Sequence, residues 1–259
     1  MRRRLLTIAL LGCALLAAAP AAAEVVKLGH VLIRLDGGFS PHKLPRSRLA
    51  PVKVEVEGAI STDDGSQPPP LRELKLELNR HGRISARGLG ICRSGDLQSL
   101  TTEQALSRCR SALIGHGSFG ASFDFGTGNL IGAHGPVLVF NSRREGRPSL
   151  LLHFYTGSPV EASLVLPLRL ASESKGEFGI VLRTRVPKLA GNGAITRLKI
   201  QLGRTYEYRG KRRSYISASC GAPEGFPGVS FSFLRGTFTF VDQKPYATTL
   251  TRDCRVRGR

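Results

Sequence analysis

Ser118 lies in Gly115-His116-Gly117-Ser118-Phe119-Gly120, a stretch that offers two chemistries. The glycine spacing matches G-x-G-x-x-G. A dinucleotide site needs that motif after a strand and at the opening of a helix, where free amides meet the pyrophosphate. Here a helical pattern precedes the glycines and a strand pattern follows them. They are therefore expected to form a helix C-cap and a tight turn. The second chemistry is hydrolysis. Ser118 would be the nucleophile, one of His116, His134 and His153 the base, and Asp124 the orienting acid. A hydrolase elbow wants glycine two residues before the serine, and His116 stands there. Linear sequence does not bring these groups together, so no catalytic residue is assigned.

Other reactive types are scattered. Glu161, Glu173, Glu177 and Asp124 lie on or near strand patterns, and paired carboxylates hydrolyse glycosides only at defined separations. The chain has no Trp. Sugar clefts usually stack a ring on an aromatic platform, so this counts against carbohydrate chemistry. Asp63-Asp64-Gly65 lacks the alternating ligands of a calcium loop and reads as a solvated acidic turn. No CxxC or His-x-x-x-His spacing supports zinc. No metal or cofactor is expected.

Basic clusters are more prominent. They are Arg143-Arg144 with Arg147, then Arg209 with Lys211-Arg212-Arg213, and the tail Arg252, Arg255, Arg257 and Arg259. Tyr206, Tyr208 and Tyr215 flank the second. Cations interleaved with aromatics can hold single-stranded nucleic acid. Charged hairpin tips also keep sheet edges from aggregating. The arginines are spread along the chain, so nucleic acid is not the expected partner. Arg209, Lys211, Arg212 and Arg213 are the candidate ligand-binding residues.

The first 23 residues read as an export signal. Arg2-Arg3-Arg4 is a cationic start, Leu5 to Ala19 an apolar run, and Ala21-Ala22-Ala23 a cleavage site before Glu24. Leu10-Leu11-Gly12-Cys13 partly fits a lipobox, which would acylate Cys13, but the apolar run continues past it. No second segment is long enough to span a bilayer. Residues 24–259 are then expected to act as one domain, secreted or held on the outer face of the envelope. Loss of the three arginines leaves 35 basic against 19 acidic residues, a net +16. Such a charge draws a protein towards anionic polymers. In an exported chain the four cysteines Cys92, Cys109, Cys220 and Cys254 favour disulfides. Three pairings are possible; Cys92–Cys109 and Cys220–Cys254 are preferred because each stays within one local segment.

The elements that would position these groups are overwhelmingly strands. Val52 to Glu57 and Leu74 to Leu78 alternate apolar and charged residues, as half-buried strands do. Leu198 to Leu202, Ser230 to Phe233 and Thr237 to Phe240 repeat the pattern. Val137 to Phe140, Leu150 to Phe154 and Leu164 to Leu170 are apolar on both faces and read as strands deep between two layers. Asn141 to Gly146 reads as a hairpin loop. About a dozen strands with frequent turns suggest an all-β fold, a β-sandwich or jelly-roll. One short helix is expected near 101–113. Thr101 and Gln104 fit a capping box, and Ala105, Cys109 and Ala112 share one face.

Taken together, Leu71 to Leu78, Gly88 to Cys92, Thr101 to Cys109, Ala112 to Gly117, Ser217 to Cys220 and Asp253-Cys254 resemble a group of uncharacterised secreted proteins of high-GC Gram-positive bacteria. The resemblance implies a β-rich secreted module with paired cysteines and no particular activity. The expected function is a non-enzymatic binding or structural module that associates with an anionic cell-wall polymer or another surface protein. A secreted hydrolase of esters or glycans is the alternative.

Overall fold

The computed structural model describes residues 23–126, 129–159, 161–241 and 243–258. The expected export signal up to residue 22, Cys13 included, and Arg259 lie outside the described residues. In chain order the strands are β1 (Glu24–Leu28), β2 (Val31–Ser40), β3 (Lys43–Leu44), β4 (Ala50–Pro51), β5 (Lys53–Thr62), β6 (Leu71–Asn79) and β7 (Gly82–Ile84). Helix α1 (Thr102–Cys109) and a 3-10 turn (Arg110–Ala112) follow. Then come β8 (Leu113–Asp124), β9 (Leu130–Arg144), β10 (Arg147–Thr156), β11 (Ala162–Ser172), β12 (Phe178–Arg185) and β13 (Ala194–Leu202). The last are β14 (Thr205–Tyr208), β15 (Lys211–Ser214), β16 (Ile216–Ala218), β17 (Gly228–Phe240) and β18 (Tyr246–Val256).

Thirteen of these strands form one continuous sheet in the order β1-β2-β5-β13-β8-β9-β10-β11-β12-β6-β17-β18-β3. Every pairing is antiparallel except β18 with β3. The sheet curls into a half-barrel. This corrects the expected sandwich or jelly-roll: the apolar faces meet across the curl of one sheet instead of between two sheets. The register shows why. Val56, Ile200, Gly117, Val137, Phe154 and Leu164 stand opposite one another across six successive strands. Leu170, Leu182, Leu76 and Gly236 continue the inner face on the far side. Across the curl, a Cβ on Gly236 would come within 3.1 Å of Leu35 on β2. Burial of one alternating face needs only an apolar surface opposite it, and a coiled sheet supplies its own.

A second, smaller core explains the runs that are apolar on both faces. Leu138, Phe140 and Leu151 point away from the curl and pack against Leu97, Ala105, Cys109 and Ala112. The helical segment is thus the second layer, and it covers only β9 to β11. Its start is the capping box read from the sequence: Gln104 N–H donates to Thr101 Oγ1 at 3.3 Å, and Thr101 N–H donates to Gln104 Oε1 at 3.0 Å. The helix is pinned by a Cys92–Cys109 disulfide, and Cys220–Cys254 joins the β16 end to β18.

Two hairpins carry tips of the same kind. β9 runs on through Arg144, so the expected loop from Asn141 shrinks to Glu145-Gly146, with φ of 52° and 75°. Arg209-Gly210 joins β14 to β15 with φ of 53° and 67°. Two consecutive left-handed residues make the turn whose twist matches a β-ribbon.

Candidate functional site

The Gly115–Gly120 stretch lies inside β8, not at a helix C-cap or a tight turn as expected. β8 crosses β13 so closely that a Cβ on Gly115 would run into the Gln201 carbonyl, and one on Gly117 into the Lys199 carbonyl. The glycines are therefore places where backbone meets backbone in a strongly coiled sheet. No helix opens beside them, so nothing there presents free amides to a phosphate.

Ser118 and His116 share the outer face of β8, and His134 stands on β9 opposite Gly120. Among the described residues no hydrogen bond joins Ser118 to either histidine. Asp124 is six residues further along β8, ~20 Å of strand, and its carboxylate accepts from Gly126 N–H at 2.8 Å. His153 is elsewhere, fully buried under α1, and donates from Nε2 to Leu100 O at 3.0 Å. Its Nδ1 has no partner. Burial holds its pKa below the ordinary imidazole value, against a smaller raising effect of the Leu100 carbonyl.

The carboxylates do not pair either. Glu161 and Glu173 flank the two ends of the 11-residue β11, and Glu161 accepts from Tyr155 OH at 3.1 Å. Glu177 lies exposed just before β12. Asp63 sits between Lys27 Nζ at 2.6 Å and His30 Nδ1 at 3.1 Å, and both lower its pKa. Hydrogen bonds from Ser66 bring Asp64 down to about 2. His30, Asp63 and Asp64 have ligand atoms within 4.8 Å of one another. The Lys27 ammonium already lies against Asp63, and all three side chains are solvated.

The basic residues are better organised. β14 and β15 leave the main sheet as a separate two-stranded ribbon, with Tyr206 opposite Arg213, Glu207 opposite Arg212 and Tyr208 opposite Lys211. Two tyrosines anchor it. The Tyr206 hydroxyl lies 2.9 Å from Arg87 O and 3.2 Å from Ser85 O, and a Cβ on Gly88 would strike the Tyr208 ring. Arg209 at the turn places its guanidinium 5.3 Å from the Tyr208 centroid. Arg209, Lys211, Arg212 and Arg213 are all exposed. Among the described residues none of them forms an ion pair. Tyr215, expected to flank this cluster, is instead 1% exposed in the main core, where burial pushes its pKa up. The tyrosines thus tether the ribbon and do not offer a free stacking platform.

The other clusters differ. Arg143, Arg144 and Arg147 decorate the β9–β10 tip, and Arg255 and Arg257 are exposed in the tail. Arg252 is not part of a solvated tail, because its side chain is only 7% exposed. It reaches from β18 to β2, donating from Nε to Gly37 O at 2.6 Å and from Nη2 to Asp36 Oδ1 at 2.8 Å. A signal for this was present: Arg252 has the strand parity of Leu250 and Cys254, both buried.

No helix among the described residues is long and apolar enough to cross a membrane. No protein-family model, curated protein or solved structure matches the chain.

Proposed function

We propose that this chain is a non-enzymatic binding module working outside the cytoplasm, and that the β14–β15 ribbon is the surface that engages an anionic envelope polymer. The observation that carries this reading is the ribbon itself: Arg209, Lys211, Arg212 and Arg213 stand in solvent on a hairpin detached from the main sheet, with Glu207 the one carboxylate in its register. Exposed cations on a tethered ribbon attract a polyanion without any enclosed pocket. The extracellular location rests on the signal-like first 23 residues and on the two disulfides, which persist in oxidising compartments. Ser118, His116 and His134 share one outer face, but among the described residues no hydrogen bond joins the serine to either histidine, and Asp124 lies further along β8, so the hydrolase alternative draws little support from geometry.

Retention of the purified disulfide-bonded protein on cell-wall sacculi tests the proposal. Binding should be strong at low salt, weaken steadily as salt rises, and drop in an Arg212→Ala/Arg213→Ala variant. Retention that is absent at low salt, or unaffected by salt or by that variant, refutes it.

A further inference from the structure

The inner face of the half-barrel is not filled. A cavity of about 150 Å³ runs inside the curl. Val56, Leu76, Leu198 and Ile200 line it, and all four stay only partly buried although they point inward. Close-packed interiors do not leave inward aliphatic side chains with free surface. An aliphatic void of this size stays dry and takes up apolar guests.

The shape narrows the guest. The lining follows β5 from Val52 to Ile60 and β6 from Leu71 to Asn79. Eight residues of strand span ~27 Å. The walls are longer than the free space between them: an apolar cavity of about 150 Å³ takes a guest of about six carbons, so the site accommodates the end of one hydrocarbon chain. Of the polar groups at its wall, Asn79 Nδ2 donates to Ser232 O at 2.9 Å and Arg197 pairs with Glu57 at 2.7 Å on the outer face; His81, Thr184, Thr196 and Ser219 are the others. Aliphatic and aromatic side chains make up most of the rest of the lining. One end is covered by the small sheet of β4, β16 and β7, whose Ile216, Ala218 and Ile84 face the slot.

We infer that the half-barrel is a binding site for a single saturated hydrocarbon chain, the acyl chain of a fatty acid or of a one-chain lipid. This is separate from the ribbon, and either reading can fail without the other.

Delipidated, disulfide-bonded protein is titrated with palmitate, with palmitoyl lysophosphatidylglycerol and with acetate, and stoichiometry is read by native mass spectrometry. Palmitate should bind one to one and acetate should not bind. Binding of the lysolipid as well would identify membrane lipid as a source; palmitate alone would identify the free acid. From butanoate upward, each added methylene should raise affinity about fourfold and the gain should level off beyond about six to eight carbons, where the slot is full. Val56→Phe and Leu198→Phe, which fill the slot from two strands, should each weaken binding roughly tenfold or more. Arg183→Ala, on the outer face, should leave it unchanged. Failure of both lipids to bind overturns the inference. So does affinity that ignores chain length, or equal binding by folded slot-filled variants.

Discussion

Replacing Arg252 by Met should open the seam of the half-barrel. β2 and β18 are second from the two ends of the sheet order and are not ladder partners. Arg252 bonds Gly37 O at 2.6 Å and Asp36 Oδ1 at 2.8 Å across that seam, and Thr251 O at 2.8 Å on its own strand. Methionine keeps most of the buried stem but has no donor. An unpaired carbonyl costs about 1–3 kcal/mol when buried, and the part-buried Gly37 O belongs at the lower end of that range, about 1–2 kcal/mol. The Asp36 side chain is 39% exposed and can rehydrate, so that contact is worth only ~0.5 kcal/mol. The Thr251 bond is local and adds little. The expected loss is about 1.5–2.5 kcal/mol, a fall in Tm of roughly 4–8 °C for a chain of this size. Urea unfolding followed by far-UV circular dichroism, with the disulfides intact, measures it. Arg252→Lys keeps the charge but not the planar fork, so it should recover less than half. Asp36→Asn should cost under about 1 kcal/mol. A loss below ~0.5 kcal/mol for Arg252→Met would show that the seam does not depend on this side chain; an equal loss for Asp36→Asn would move the weight from the carbonyl to the ion pair.

Three further outcomes follow from single residues. Gly117→Ala drives a methyl into the Lys199 carbonyl, so β8 and β13 must separate; a loss of about 1–3 kcal/mol in the same unfolding assay is expected, whereas a neutral result would disprove the close approach. His153 has a folded pKa below its unfolded value, so below about pH 6.5 the unfolded state binds the extra proton and stability falls as pH falls. His153→Gln, which can still donate to Leu100 O, should flatten that part of the stability–pH curve; an unchanged curve would exonerate His153. Arg209 occupies a left-handed turn position at φ 53°, so Arg209→Asn should stabilise the ribbon by up to about 1 kcal/mol while weakening sacculus retention. Stability that falls instead would mean the guanidinium on Tyr208 outweighs the backbone strain.

Strict alternation from Val54 to Val56 and from Leu74 to Leu78 determined that these are strands and which residues turn inward, because side chains alternate with period two whatever the fold. The capping box at Thr101 and Gln104 was equally local, and helix α1 starts where it says. The short separations of Cys92 from Cys109 and of Cys220 from Cys254 suggested the pairing that forms. The ribbon at Arg209 to Arg213 was visible as charge, but not its detachment from the main sheet.

Tertiary structure decided what the inward faces meet. Alternation states that Leu76 and Ile200 need an apolar environment, yet it is silent on whether a second sheet or the far side of the same sheet provides it. It is equally silent on whether the space between them closes, which is why the slot could not be read. Gly117 looked like a turn because glycine has no side chain to report a face; only the approach of the Lys199 carbonyl shows that a strand needed it. Ser118, His116 and His134 do come to one outer face, but residue types do not show that no hydrogen bond joins them among the described residues or that Asp124 lies further along the strand. Arg252 reads as surface because arginine usually is; the seam between β18 and β2, which exists only once the sheet has curled, gives its guanidinium a part-buried carbonyl to bond.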